Sequence, residues 1–235
     1  MPRSVLRSSF HQAPPSALVR QLARWLPDGP EAPRQDVAER LGQWLHVAES
    51  VQLHAALGAV SAAGRSRSAT SAGSVDGDLA DALRQELDRV RAVLARSIRT
   101  REPGHQPDAA DLDIEFALYH QRLNDQQRRM EMSVDALRQH VRQQLARGTA
   151  SQKQLAALDA AMETLFAGRE QRLLNTLPAW LKSRFQALRQ AAAAAGTPDD
   201  LRWLDAFADE FEQTLLAELD LRLQPVIGLI ESMDP

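Results

Sequence analysis

Between Pro107 and Gly148 the chain runs for 40 residues, 108–147, without a proline or a glycine. Asp108, Asp111, Asp113 and Glu115 open this run, where the partial positive charge of a helix N-terminus favours acids. A helix without a break up to Gly148 would be roughly 55–60 Å long at 1.5 Å per residue, longer than a compact domain is wide. This stretch therefore commits the chain to an elongated helical shape. Phe116, Leu123, Met130 and Leu137 lie seven residues apart, which is heptad spacing. The companion row Tyr119, Gln126, Ser133 and His140 is largely polar, so only half of a coiled-coil seam is apolar. Val134, Val141 and Leu145 show the stripe drifting towards the 3.6 period.

A second helix follows after only about three residues, Gly148 to Ala150, with Ser151 as its expected cap. Its stripe is Leu155, Leu158, Met162 and Leu165, continued on a shifted line by Phe166, Leu173 and Leu177. Short connections make antiparallel neighbours, so a long antiparallel hairpin over 108–177 is expected. Pro178 either kinks the second arm or starts a new helix, Ala179 to Ala195, with Trp180, Leu181, Phe185 and Leu188 on its apolar face. Gly196-Thr197-Pro198 stops that helix. A last one over 199–223 presents Leu204, Phe207, Phe211, Leu215 and Leu219, and Pro225 and Gly228 are expected to close it.

Upstream, Leu83, Leu87, Val90, Leu94 and Ile98 form a stripe between Leu79 and Arg99. Val37, Leu41, Trp44, Ala48, Val51 and Ala55 form another between Gln35 and Val60. Residues 61–78 are rich in Ser, Gly, Ala and Arg without periodicity, the composition of a flexible linker. The expected organisation is an N-terminal arm and helices over 1–60, a linker over 61–78 and a helical bundle over 79–235. Ala, Leu, Arg, Gln and Glu dominate and aromatics are 5% of the chain, which also favours an all-α fold. The first 27 residues carry four arginines and no acid, a pattern shared by transit peptides and loose arms. Read as an arm, it leaves a cytoplasmic protein as the default.

Several function classes have no residues to carry them. Absence of cysteine excludes disulfides, Cys-ligated zinc and thiol catalysis. A net charge of -3 gives no general attraction for nucleic acid, and no apolar run approaches the roughly 18 residues of a membrane span. Neither a Gly-x-x-x-x-Gly-Lys-Ser/Thr loop nor GxGxxG is present. His46 and His54, with Glu49, sit eight residues apart rather than the three or four that metal pairs on helices require. His120 and His140 would need a carboxylate and a cavity supplied by another helix. No catalytic residue, metal or cofactor is expected.

Charge is unevenly spread: residues 198–235 hold 2 basic and 10 acidic residues, a net -8 against +5 for the rest. Such an acidic helix can pair with basic helices of its own fold or face a basic partner. Arg122, Arg128, Arg129, Arg138, Arg142 and Arg147, on the helix over 112–147, could track a phosphate backbone. Asp125, Glu131 and Asp135 are interleaved with them, and stacking aromatics are missing.

The runs Ala38–Leu45, Leu53–Leu57, Gln154–Ala161 and Arg169–Leu174 resemble a proteobacterial family of all-helical proteins known as a domain of unknown function. The resemblance covers most of the chain apart from the stretch near 61–78 and the acidic end. Members of that family are often encoded beside an OmpA-like protein and a membrane protein resembling MotA or ExbB stators. The resemblance thus implies a cytoplasmic accessory of an ion-driven envelope complex, peripheral to the inner membrane, and brings no catalytic residues.

The expectation is an elongated all-α bundle that acts without catalysis as a scaffold or adaptor for other helical proteins. Phe116, Leu123, Met130 and Leu137, together with Asp205, Asp209 and Glu212 of the acidic helix, are its candidate contact residues. The alternatives are a homo-oligomer whose half-apolar seam is completed by another copy, and a nucleic-acid-associated protein using the arginine face.

Overall fold

The computed structural model describes residues 16–25, 73–100, 111–196 and 200–233. These form six helices: α1 (Ala17–Ala23), α2 (Gly73–Arg99), α3 (Leu112–Leu145), α4 (Ala150–Leu174), α5 (Leu177–Ala194) and α6 (Arg202–Glu231). The described residues contain no strand, and none of their helices is long and apolar enough to cross a membrane. The fold is all-α. The stripe expected over 35–60 and the linker residues 61–72 lie outside the described residues. Residues 73–78, also assigned to the linker, are instead the first turns of α2.

Helix boundaries follow local chemistry. Asp111 Oδ1 accepts from Ile114 N at 3.2 Å and satisfies one of the free donors of α3's first turn. At the start of α4 the cap is Thr149, not Ser151. Thr149 Oγ1 accepts from Gln152 N at 3.3 Å while Gln152 Oε1 accepts from Thr149 N at 2.7 Å, a reciprocal capping box. Gly148 makes this possible, since a Cβ there would stand 1.9 Å from Gln152 Oε1. Pro178 starts a new helix: it occupies the first turn of α5, where its missing N–H costs nothing. Past the end of α5, Gly196 adopts φ +75°, the left-handed stop that glycine tolerates.

The last helix is the hub, touching each of the other five. Leu204, Phe207, Phe211, Leu215 and Leu219 are all buried, as their spacing predicts. Its end departs from expectation, because α6 continues through Pro225 and Gly228 to Glu231. An internal proline costs about 3 kcal/mol. Beyond it, however, Val226, Leu229 and Ile230 are buried, at roughly 1.5–3 kcal/mol each, so burial outweighs the lost hydrogen bond.

Paired contacts fix the directions of the helices. Arg91 faces Asp220 and Arg99 faces Glu212, so α2 runs antiparallel to α6. Tyr119 packs on Phe207 and Phe211, and eight residues on Gln127 meets Glu218, so α3 runs parallel to α6. At one end Phe116, Phe185, Trp203 and Phe207 interlock with centroids 5.0–5.2 Å apart between neighbouring rings, joining α3, α5 and α6. At the other end Arg138 and Arg142 of α3 reach Asp159 and Glu163 of α4.

The polar companion row of α3 is explained by α2. Gln126 is buried and its amide exchanges hydrogen bonds with the Ser97 hydroxyl at 3.2 Å, and His140 Nε2 lies 3.5 Å from Glu86 Oε2. Arg122 donates to the carbonyls of Ile98 and Thr100, closing the C-terminus of α2.

Candidate functional site

The bundle's own packing takes up most of the residues expected to contact partners. Leu123, Met130 and Leu137 are 1%, 0% and 2% exposed, and Phe116 is half-buried against Phe185. They belong to the intramolecular core of the bundle. Glu212 faces Arg99 at 3.6 Å, while Asp205 and Asp209 are exposed. The acidity of α6 is largely met from within: Glu210 takes a bidentate pair from Arg184 at 2.6 Å, and Asp220 faces Arg91. The arginine face of α3 is dispersed in the same way. Arg122 caps α2, Arg129 donates to Ser97, and Arg138 and Arg142 hold α4. Arg128 and Arg147 are exposed and make no ion pair among the described residues.

Histidines are not gathered into a site. His140 meets Glu86 at the surface, and His120 stands exposed near Pro178. His46, Glu49 and His54 lie outside the described residues. Among the described residues no three His, Asp or Glu side chains converge as a metal ion would require.

What the packing leaves open is a groove between α3, α4 and α6, with a volume of about 720 Å³. Its wall on α4 is Leu155, Leu158, Met162 and Phe166, three residues of the stripe read from the sequence and the first of its shifted continuation. Here it is only partly covered: Leu155, Leu158 and Phe166 are half-buried, and Met162 is 39% exposed. Val134 of α3 and Pro225 and Leu229 of α6 complete the apolar lining. The turn through Pro225 that was expected to end α6 therefore supplies one side of the groove.

Charged groups ring this lining: Glu131 and Asp135 from α3, Asp159, Glu163 and Glu170 from α4, and the cations Arg138 and Arg222. Both cations are engaged. Arg138 donates to both oxygens of Asp159 at 2.9 and 2.6 Å. Burial opposes its charge, but Asp159, Glu163 and Glu170 outweigh this and raise its pKa. Arg222 Nε donates to Glu218 Oε1 at 2.9 Å, and Gln127 donates to both Glu218 oxygens at 3.2 and 3.1 Å. Glu218 is fully buried, and burial pushes its carboxyl up against the pull of Arg222 and Gln127. Asp135 is also pushed up, first by burial and then by Glu163 and Glu131. Among the described residues Glu131, Asp135 and Glu170 make no ion pair.

Sequence reasoning named the apolar half of this groove without its rim. Asp159, Glu163 and Glu170 fall four and seven residues apart on α4 beside Leu155, Leu158, Met162 and Phe166, and this flanking acidic row was the signal available.

The described residues define an all-helical bundle with an open, acid-rimmed groove. The family described as "Protein of unknown function (DUF3348)" matches residues 3–235, and the chain belongs to that family. Comparison with curated proteins and with solved structures gave no match.

Proposed function

We propose that this chain is a non-enzymatic helical adaptor that takes a helix of another protein into the groove between α3, α4 and α6. The observation that supports this is the apolar row of α4, which the other described elements cover only in part. Helix-binding grooves present such rows for anchors spaced i, i+3/i+4, i+7. The resemblance noted above would place the partner in an ion-driven envelope complex, with a stator-like inner-membrane protein as the leading candidate and the adaptor on its cytoplasmic side. A photo-crosslinking residue at Met162, introduced in cells of the source bacterium, tests the reading. A protein cross-linked at Met162 but not at Val93, an exposed residue of α2, is the expected result. Equal labelling at both positions, or none at Met162, would overturn it.

A further inference from the structure

We infer that the occupant of the groove is a cationic amphipathic helix of a partner protein, a statement that rests on the adaptor reading and adds the partner's chemistry. Two independent features of the site carry it. The first is the apolar wall. Leu155, Leu158, Met162 and Phe166 follow one face of α4, and the lining runs from Leu155 to Gln171, about 24 Å at 1.5 Å rise per residue. That length accommodates about four turns of a helix.

The second feature is the charge left over at the rim. Five carboxylates and two guanidinium groups line the groove. The guanidinium groups are paired with Asp159 and Glu218, so Glu131, Asp135 and Glu170 face the groove with no ion pair of their own among the described residues. Burial is the first cause that raises the Asp135 carboxyl, and the neighbouring carboxylates Glu163 and Glu131 add to it. Lysine or arginine flanking an apolar stripe would relieve that crowding, whereas an acidic helix would add to it. Charge of this kind selects among helices more than it tightens binding.

The same charge argues against the chain's own amphipathic stretch as the occupant. Residues 35–60 carry Asp36, Glu39 and Glu49 against Arg40 alone, which is the wrong sign for this rim.

Three fluorescein-labelled peptides of about 18 residues test the inference against the full chain by fluorescence anisotropy. One has Leu at i, i+3/i+4, i+7 positions with Lys elsewhere, the second replaces Lys by Glu, and the third scrambles the Leu positions of the first. The Leu/Lys peptide should bind at least about tenfold more tightly than either of the others. Its affinity should fall about tenfold in the Glu131→Gln/Asp135→Asn/Glu170→Gln variant, and separately in Met162→Ser/Phe166→Ser. Thermal melting of each variant establishes that it is folded. Raising salt supplies a check that needs no variant, since the Leu/Lys peptide should weaken and the Glu peptide should not.

Equal binding of the Lys and Glu peptides would overturn the inference and leave the adaptor reading standing. Equal binding of the scrambled peptide would reduce the interaction to bulk charge and overturn it as well. If Leu41→Ser/Val51→Ser or Arg3→Glu/Arg7→Glu raised the affinity, the groove would belong to the chain's own segment. A self-association abolished by Phe166→Ser would assign it to a second copy. Either result overturns the inference. Absence of any peptide binding alongside a positive Met162 cross-link would refute the cationic helix alone.

Discussion

Helices α4 and α6 are both long segments with an apolar stripe, continuous on α6 and shifted part-way along α4, yet the bundle treats them in opposite ways. Phe207, Phe211, Leu215, Leu219 and Leu223 of α6 are 0–1% exposed. On α4 the stripe is half-covered, with Met162 39% and Leu173 61% exposed. The difference lies in position within the bundle. The hub α6 packs against all five other described helices, while α4 leans on the far part of α3 and only lightly on α6. A stripe states which face of a helix shuns water, and the rest of the chain decides whether that face is covered. Where it is not, the face remains for something else to cover.

Matched truncations should split the two helices most widely. Phe207→Ala removes a side chain with 0% exposure at the junction of α3, α5 and α6 and should cost about 3–5 kcal/mol. Phe166→Ala, on the half-buried wall of the groove, should cost about 1 kcal/mol or less. Urea denaturation of the two variants measures both. A large loss at Phe166 would mean that its stripe is closed core and that the groove is no site.

Ion pairs sharpen the contrast. Glu218→Leu leaves Arg222, with 8% side-chain exposure, buried without its carboxylate, and about 3–5 kcal/mol should be lost. The double variant Glu218→Leu/Arg222→Met should recover most of that loss, since an apolar pair of similar volume does not carry the desolvation penalty. On α4, Asp159→Leu should cost less, about 1–3 kcal/mol, because Arg138 keeps Glu163 at 3.5 Å. A double-mutant cycle for each pair gives the coupling. Equal values would remove the distinction between a buried hub and an open wall.

The same contrast explains what could be read in advance. Helix existence, the buried row of α6, the stripes of α2 and α3 and the stop at Gly196 follow from periodicity and from residues with restricted backbones. Three features depended on partners distant in sequence. Gln126 and His140 look like defects in a seam until Ser97 and Glu86 of α2 meet them. Pro225 looks like an end until the burial of Val226, Leu229 and Ile230 carries the helix past it. The groove is the third, because Leu155, Leu158, Met162 and Phe166 carry the same pattern whether covered or open. Ser151 and Thr149 can both cap, and the reach of Gln152 back over Gly148 favours Thr149.

The connection that orients α4 permits a smaller test. Gly148→Ala would place its Cβ on Gln152 Oε1, so the glutamine must withdraw from the Thr149 N–H and the capping box opens. A loss of about 0.5–1 kcal/mol is expected, and Gln152→Ala should reproduce it without adding to it in the double variant. Additive losses would show that the two residues act separately.

The smallest expected effect is at Asp135, which faces Glu131 on its own helix, Glu163 of α4, Arg138 of α3 and Arg222 of α6. Its carboxyl is held above the ordinary value, by burial first and by Glu163 and Glu131 next. A group raised in the folded state supports the fold fully below its unfolded pKa, about 3.9, and that support is lost as pH rises through the folded value. At neutral pH the charged Asp135 is therefore a liability. Asp135→Asn should raise the melting temperature at pH 7 by about 1 °C, a small gain because solvent screens the group, and the gain should vanish by about pH 4. Binding of the Leu/Lys peptide should reverse the sign: in the complex the carboxylate has a cation to meet, so Asp135→Asn should weaken binding at pH 7 and leave it unchanged near pH 4. A substitution that stabilises the free bundle while weakening the complex is what an acid held for a partner predicts, and an acid of merely structural use would not separate the two measurements.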